Sequence, residues 1–237
     1  MWLRRVAAYF DLLPCPRCGE GYGGGAGLLC PGCLKELPIL PPGEHCPGCG
    51  ARPDGPLAMC RGCLESGDRP WQDAASVMEY RGEGAVLIRS FKSGGAPELA
   101  RPLGYLGAGL VRAFGWKADF IVPVPLRFWR AWRRTYNQSA LFGFRLGAEL
   151  GIPMRELLVK LPGGRKQAGL SRAGRLRNRL RFEVRHPEQV EDRDLILVDD
   201  IFTTGSTLVA AASALRQAGA GRIYVLTCAR TPLRRLS

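Results

Sequence analysis

Two groups of residues have types and spacings that carry chemistry. The first is the run LILVDDIFTTGST at positions 195–207. Its apolar half reads as a strand buried on both faces, and it ends on two acids, Asp199 and Asp200. Thr203, Thr204, Gly205, Ser206 and Thr207 then lead into a helix. Open α/β sheets bind ligands at the carboxyl ends of their strands. A helix N-terminus offers an anion unpaired N–H groups and a favourable dipole. Gly205 permits the tight turn, the four hydroxyls add donors, and the two carboxylates can accept hydrogen bonds from vicinal hydroxyls. The combination suits a sugar phosphate, with the acids on the ribose and the loop on its 5′-phosphate. A Mg²⁺ site of the receiver or phosphatase kind also pairs acids at a strand end, but it does not need a hydroxyl-rich loop. The absence of GxxxxGK[ST] argues against a P-loop motor.

The second group is eight cysteines in four Cys-x-x-Cys pairs: Cys15 and Cys18, Cys30 and Cys33, Cys46 and Cys49, Cys60 and Cys63. A gap of two residues lets both thiolates of a pair face one tetrahedral ion, and two pairs close a four-thiolate site that suits Zn²⁺. CPRCG then CPGCL is echoed by CPGCG then CRGCL. The echo suggests two zinc ribbons in series, one ion on the first four cysteines and one on the last four, with cross-braced pairing as the alternative. Gly19 and Gly50, each following the second cysteine of a knuckle, can take positive φ and turn N–H groups toward sulfur. With few apolar residues between Cys15 and Cys63, the metals are expected to supply the folding energy of a structural module whose core is separate from the rest. His45 is not needed as a ligand, and Cys228, set in an apolar run, reads as a small buried hydrophobe.

These groups need elements to position them. A polar stretch at 65–70 reads as a linker, giving an N-terminal helix and double zinc ribbon over 1–66 and an α/β domain over 72–237. Periodicity predicts strands at 75–80, 119–126, 194–200 and 223–228, and helices at 83–92, 98–114, 138–150 and 206–218. Residues 161–181, rich in Gly, Arg and Lys, read as a long loop that orders on a ligand. Strands separated by helices make the fold class α/β with a mainly parallel sheet.

The formal charge is +13 over 237 residues, and it is concentrated. Positions 127–185 hold fifteen Lys or Arg against Glu149, Glu156 and Glu183, which implies an anionic partner such as a polyphosphate or nucleic acid. In RFWRAWRRTYNQ, helical spacing sets Trp129, Trp132 and Tyr136 on one stripe, read as core, and Arg127, Arg130 and Arg134 on another. Arg127, Arg130, Arg134, Arg172 and Arg175 are the candidates for contacting the phosphates of single-stranded DNA. No apolar run is long enough to span a membrane and no signal-peptide pattern opens the chain, so a cytoplasmic protein without a transmembrane segment is expected.

The acids followed by TTGST resemble the signature of type I phosphoribosyltransferases. Thr203 stands where purine-salvage members carry a further acid. Beyond that loop, the chain resembles the ComF family of competence proteins from about position 10 to 230. The resemblance rests on the cysteine pairs, Phe91-Lys92, VPVPL at 122–126, RRTYNQ at 133–138, QAGLSR at 167–172, Arg175, Asn178 and the acid–hydroxyl run. The chain departs from the family at Thr135, usually Gly, and at Gly174, usually Glu. The resemblance implies a sheet of phosphoribosyltransferase type, phosphoribosyl diphosphate with Mg²⁺ at residues 199–207, and a role in natural transformation alongside a helicase partner. If the chain is a working phosphoribosyltransferase, Pro125, Leu126 and Arg127 would hold the diphosphate and Arg165 and Lys166 would close over it. Transferase activity does not follow from the resemblance, no catalytic residue is assigned, and an interaction scaffold built on the ribbons is a third alternative.

Overall fold

The computed structural model describes residues 14–21, 28–53, 57–92, 95–126, 136–161 and 181–233. In chain order its elements are α1 (Pro31–Glu36), α2 (Arg61–Ser66), β1 (Asp73–Glu79), α3 (Gly82–Lys92), α4 (Ala100–Ala113), β2 (Phe120–Pro123), α5 (Gln138–Leu150), β3 (Leu158–Lys160), β4 (Phe182–Val184), β5 (Leu195–Phe202), α6 (Ser206–Gln217) and β6 (Ile223–Arg230). Four strands form a parallel sheet in the order β1-β6-β5-β2, and β3 pairs with β4 antiparallel. That short antiparallel pair was not foreseen, because three-residue strands leave no readable alternation. The strand expected over 119–126 is shorter and ends at Pro123, beyond which Pro125 has no N–H to give a ladder. The last strand runs two residues further, to Arg230. Helix α5 has the foreseen bounds: Asn137 accepts from the Ser139 N–H at its start, and Gly151 ends it at φ 71°.

The central strands β5 and β6 are apolar on both faces, as a sheet covered on both sides requires. On one face, Ile196, Val198, Leu226 and Cys228 pack with Leu87, Ile88 and Phe91 of α3, Leu103 and Val111 of α4, and Phe142 and Leu146 of α5. On the other, Leu195, Leu197 and Val225 pack with Leu208, Ala211 and Leu215 of α6 and with Leu158. Each core also takes in a cysteine set: Cys15 and Cys33 join the first, and Cys46, Cys49, Cys60 and Cys63 join the second.

The expectation of a separate ribbon core is thereby corrected. The stretch between the cysteine sets runs along β1, the sheet's edge strand: the Leu40 N–H donates to Val77, the Glu79 N–H donates to Pro38, and Ile39 bridges Met78. Covering an edge strand hides donors and acceptors that would otherwise recruit another chain. Gly50 comes so close to β1 that a Cβ would stand 2.8 Å from the Ala75 Cα. No helix among the described residues is long and apolar enough to cross a membrane.

Candidate functional site

The acid pair lies at the carboxyl end of β5, as the sequence predicts. Asp199 Oδ1 accepts from the Ser139 hydroxyl at 2.9 Å and from the Asp200 N–H at 2.9 Å. Burial, and next the charge of Asp200, push the Asp199 carboxyl up to about 7. Asp200 Oδ2 is 2.8 Å from the Lys92 ammonium, so a cation from the end of α3 offsets a pair that would otherwise repel itself. Cys228 is fully buried as expected, and burial followed by the charges of Asp200 and Asp199 raises its thiol well above the ordinary range.

Beyond β5 the chain turns through Thr203 and Thr204, both exposed, to Gly205 at φ 77°. A Cβ at Gly205 would lie 2.8 Å from the Phe202 ring, so the loop requires glycine there on two counts. Thr204 Oγ1 is 2.8 Å from Ser206 Oγ and accepts from the Ser206 N–H at 3.3 Å. No side chain caps α6 from Gly205, and Ser206 and Thr207 are half-buried at its first turn. Acids and hydroxyl loop are thus assembled on one sheet edge. Pro125 and Leu126 follow β2 on that edge, where the Val124 N–H donates to Val198.

A brace not foreseen in the sequence holds these parts in register. Tyr136 donates its hydroxyl to the Phe91 carbonyl at 2.6 Å and Gln138 its amide to the Lys92 carbonyl at 3.1 Å. Those two bonds satisfy carbonyls at the end of α3, which an isolated helix leaves unpaired. Asn137 donates to Val124 at 3.3 Å while capping α5. Four consecutive residues, 136–139, therefore fix α3, β2 and β5 relative to one another. Tyr136 is half-buried against the α3 side of the core, in line with the core reading of the aromatic stripe. Arg127, Arg130, Arg134, Arg165, Lys166, Arg172 and Arg175, with Trp129 and Trp132, lie outside the described residues.

The cysteines assemble in the order expected from the repeat: Cys15, Cys18, Cys30 and Cys33 in one group, Cys46, Cys49, Cys60 and Cys63 in the other, with sulfurs of each group within 4.8 Å of one another. All eight are free thiols. Cys18 and Cys30 sulfurs are 3.8 Å apart and those of Cys49 and Cys60 3.6 Å. A tetrahedron with metal–sulfur bonds of about 2.3 Å has edges of about 3.8 Å, so both groups fit zinc. Gly19 and Gly50 have φ of 79° and 70°. Backbone N–H groups of Cys30 and Cys33 reach the Cys15 and Cys30 sulfurs at 3.4 Å.

The second group has a further partner, the buried Arg230, which donates to the Cys49 carbonyl at 2.8 Å and its sulfur at 3.1 Å. Hydrogen bonds from Cys46 and Cys63, then Arg230, hold the Cys49 thiol far below the ordinary range. His45 is not a ligand; its Nε2 is 2.7 Å from Asp73 on β1, and Trp116 donates to the same carboxylate at 3.0 Å. Neither Arg230 nor His45 stands at a spacing that would have revealed its role. We expect metal analysis of protein purified without added zinc to find two zinc ions per chain; one ion, or iron, would overturn the paired assignment.

These features define a class: a mainly parallel α/β sheet with a hydroxyl-rich loop and paired acids at its carboxyl edge, carrying two four-cysteine sites near its N-terminus. No family model matches the chain. It is 32% identical over 211 residues to Competence protein F of Haemophilus influenzae, covering 85% of this chain and 90% of that protein. It is 33% identical over 195 residues to the DNA utilization protein YhgH of Salmonella typhimurium, covering 78% and 84%. Competence protein ComFC of Bacillus subtilis is 29% identical over 209 residues, covering 81% and 79%. The chain belongs to the ComF family of competence proteins. Among solved structures it is similar to glutamine phosphoribosylpyrophosphate amidotransferase of B. subtilis, with a TM-score of 0.42 and 22% identity over 60% of this chain but only 30% of that enzyme. It is also similar to a purine phosphoribosyltransferase of Pyrococcus horikoshii, with a TM-score of 0.38 and 19% identity over 59% of this chain and 78% of that one.

Proposed function

We propose that this protein handles incoming single-stranded DNA in natural transformation, in the cytoplasm and alongside a helicase, and that it binds phosphoribosyl diphosphate with Mg²⁺ at the acid–hydroxyl edge. The observation that carries the ligand reading is the assembly of Asp199, Asp200 and residues 203–207 around the start of α6. Among the described residues nothing bonds Asp199 Oδ2, which is left to accept from a ribose hydroxyl. The loop hydroxyls and the first N–H groups of α6 take the 5′-phosphate. Mg²⁺ enters with the diphosphate, whose charge it offsets, near Pro125, Leu126 and Arg127. The relatives' names, competence and DNA utilization, support the DNA reading, as does the basic stretch 127–185.

Titration with phosphoribosyl diphosphate and Mg²⁺, with and without single-stranded DNA, tests both halves. A specific ligand raises stability by about 2.7 kcal/mol at a hundred times its dissociation constant. If four arginines engage phosphates, log affinity for DNA should fall against log salt with a slope of about −3. Absence of any thermal response to phosphoribosyl diphosphate would remove the ligand, and absence of DNA retention at low salt would remove the nucleic-acid role.

One observation favours a second reading, a working transferase: an Asp199 carboxyl raised to about 7 can take or release a proton near neutrality. Diphosphate release on adding a panel of bases would establish it.

A further inference from the structure

A cleft of about 530 Å³ separates the second cysteine site from the carboxyl ends of β1 and β6. Arg52 from the cysteine side, Arg81 and Glu79 from the end of β1, and Arg230 from the end of β6 line it, with Leu40 and Leu233 as apolar wall. Three guanidiniums thus face one carboxylate. Glu79 is taken by Arg81. Arg230 is 4% exposed and tied to Cys49 and to the Thr231 carbonyl, so it is a fixed positive wall. Arg52 is exposed and makes no ion pair among the described residues. Planar guanidiniums bind phosphate through paired N–H donors and also stack on aromatic faces. Beside aliphatic side chains they offer a place for a base as well as for its phosphate.

The cleft adjoins the sugar-phosphate loop. Arg230 lies 5.9 Å over the Phe202 ring, and the Thr231 N–H donates to the Phe202 carbonyl at 2.9 Å. Phe202 is the residue from which the loop departs. A polynucleotide strand in the cleft would therefore run along the same sheet edge, across the seam between the second cysteine site and the sheet.

We infer that this cleft binds a short stretch of single-stranded DNA, with Arg52 and Arg81 on successive phosphates and Arg230 supplying fixed positive charge behind them. The inference rests on the DNA reading above and adds a site to it, built from residues outside the stretch 127–185 of the sequence. It is tested on the full zinc-loaded chain with fluorescent oligothymidylate. Arg52→Glu with Arg81→Glu should weaken binding tenfold or more and make the salt slope shallower by about 1.4, two phosphates at about 0.7 each. Zinc content should stay as in the wild type, because Arg230 and its thiolate contact are untouched, and the melting temperature should fall only by the small cost of the broken Arg81–Glu79 pair. Should the double variant lose zinc, Arg52→Ala, which breaks no ion pair, serves instead and should weaken binding severalfold. Wild-type affinity in the folded variants would overturn the cleft site while leaving DNA binding in place. Failure of the wild-type chain to bind oligothymidylate at low salt would overturn the DNA reading itself, and the cleft with it. Weakened binding of an acidic peptide with unchanged oligothymidylate affinity would reassign the cleft to a protein partner.

Discussion

Cys49→Ala is expected to lower the melting temperature of the whole chain by about 10 °C or more, and in a single transition. Structural zinc is worth about 10–16 kcal/mol in isolated zinc-finger peptides, and here the loss of a metal ligand would not stop at the ribbon. Cys49 lies in the same core as Leu197, Val225 and Leu208. Its thiolate and carbonyl hold the guanidinium of Arg230 at the end of the innermost pair of strands. Removing one partner of a buried charge costs about 3–5 kcal/mol because the other stays buried. Cys18→Ala, by contrast, alters an exposed ligand and should cost less. Calorimetry showing an early ribbon transition and an α/β transition at the wild-type temperature would refute this coupling.

Asp199→Asn is expected to stabilise the ligand-free protein above neutral pH while abolishing its response to phosphoribosyl diphosphate. The Asp199 carboxyl is raised from its ordinary value to about 7, chiefly by burial. A carboxyl raised on folding favours the folded state while it is protonated. Its contribution is therefore fully present below about pH 4 and is lost as pH rises through about 7. At about 1.4 kcal/mol per unit, the wild type should lose about 2–3 kcal/mol, roughly 5–10 °C, between about pH 5 and pH 8. The Asn variant should lack that slope. Asp200→Asn acts the other way, leaving Lys92 without its partner. Melting curves at the two pH values decide the matter: equal slopes in wild type and Asp199→Asn would mean that Asp199 is ionised throughout.

What could be read from the sequence was what local periodicity and spacing encode. Helix α5 was legible to the residue, with Gly151 marking its end, whereas the Asn137 cap at its start was seen only in the structure. Strand β5 and its loop were legible because an apolar run, two acids and a glycine turn form one continuous signal. The zinc grouping was legible because the knuckles repeat. What escaped was everything fixed between distant segments. Lys92 stood out only within a family resemblance, yet its role against Asp200 depends on Gln138 holding the end of α3. Arg230 reads in sequence as a charge beyond an apolar strand, and only the fold brings it to Cys49. The separate ribbon core was expected because so few apolar residues lie between the cysteines. The cysteines themselves, with Trp71 and Leu37, supply the apolar contact that joins them to the sheet.

The bond between Arg230 and Cys49 joins residues 181 positions apart, and that separation has a consequence for synthesis. At about 5–20 residues per second, a ribosome adds the arginine roughly ten to forty seconds after the cysteine. Zinc at the second group could be captured as soon as Cys63 emerges, but the Cys49 thiolate waits for Arg230, and β1 for its sheet neighbour β6, until that strand has emerged. A chain stalled before β6 would carry a loaded metal site with an unpaired strand beside it, the state in which it would be most open to chaperones and to degradation.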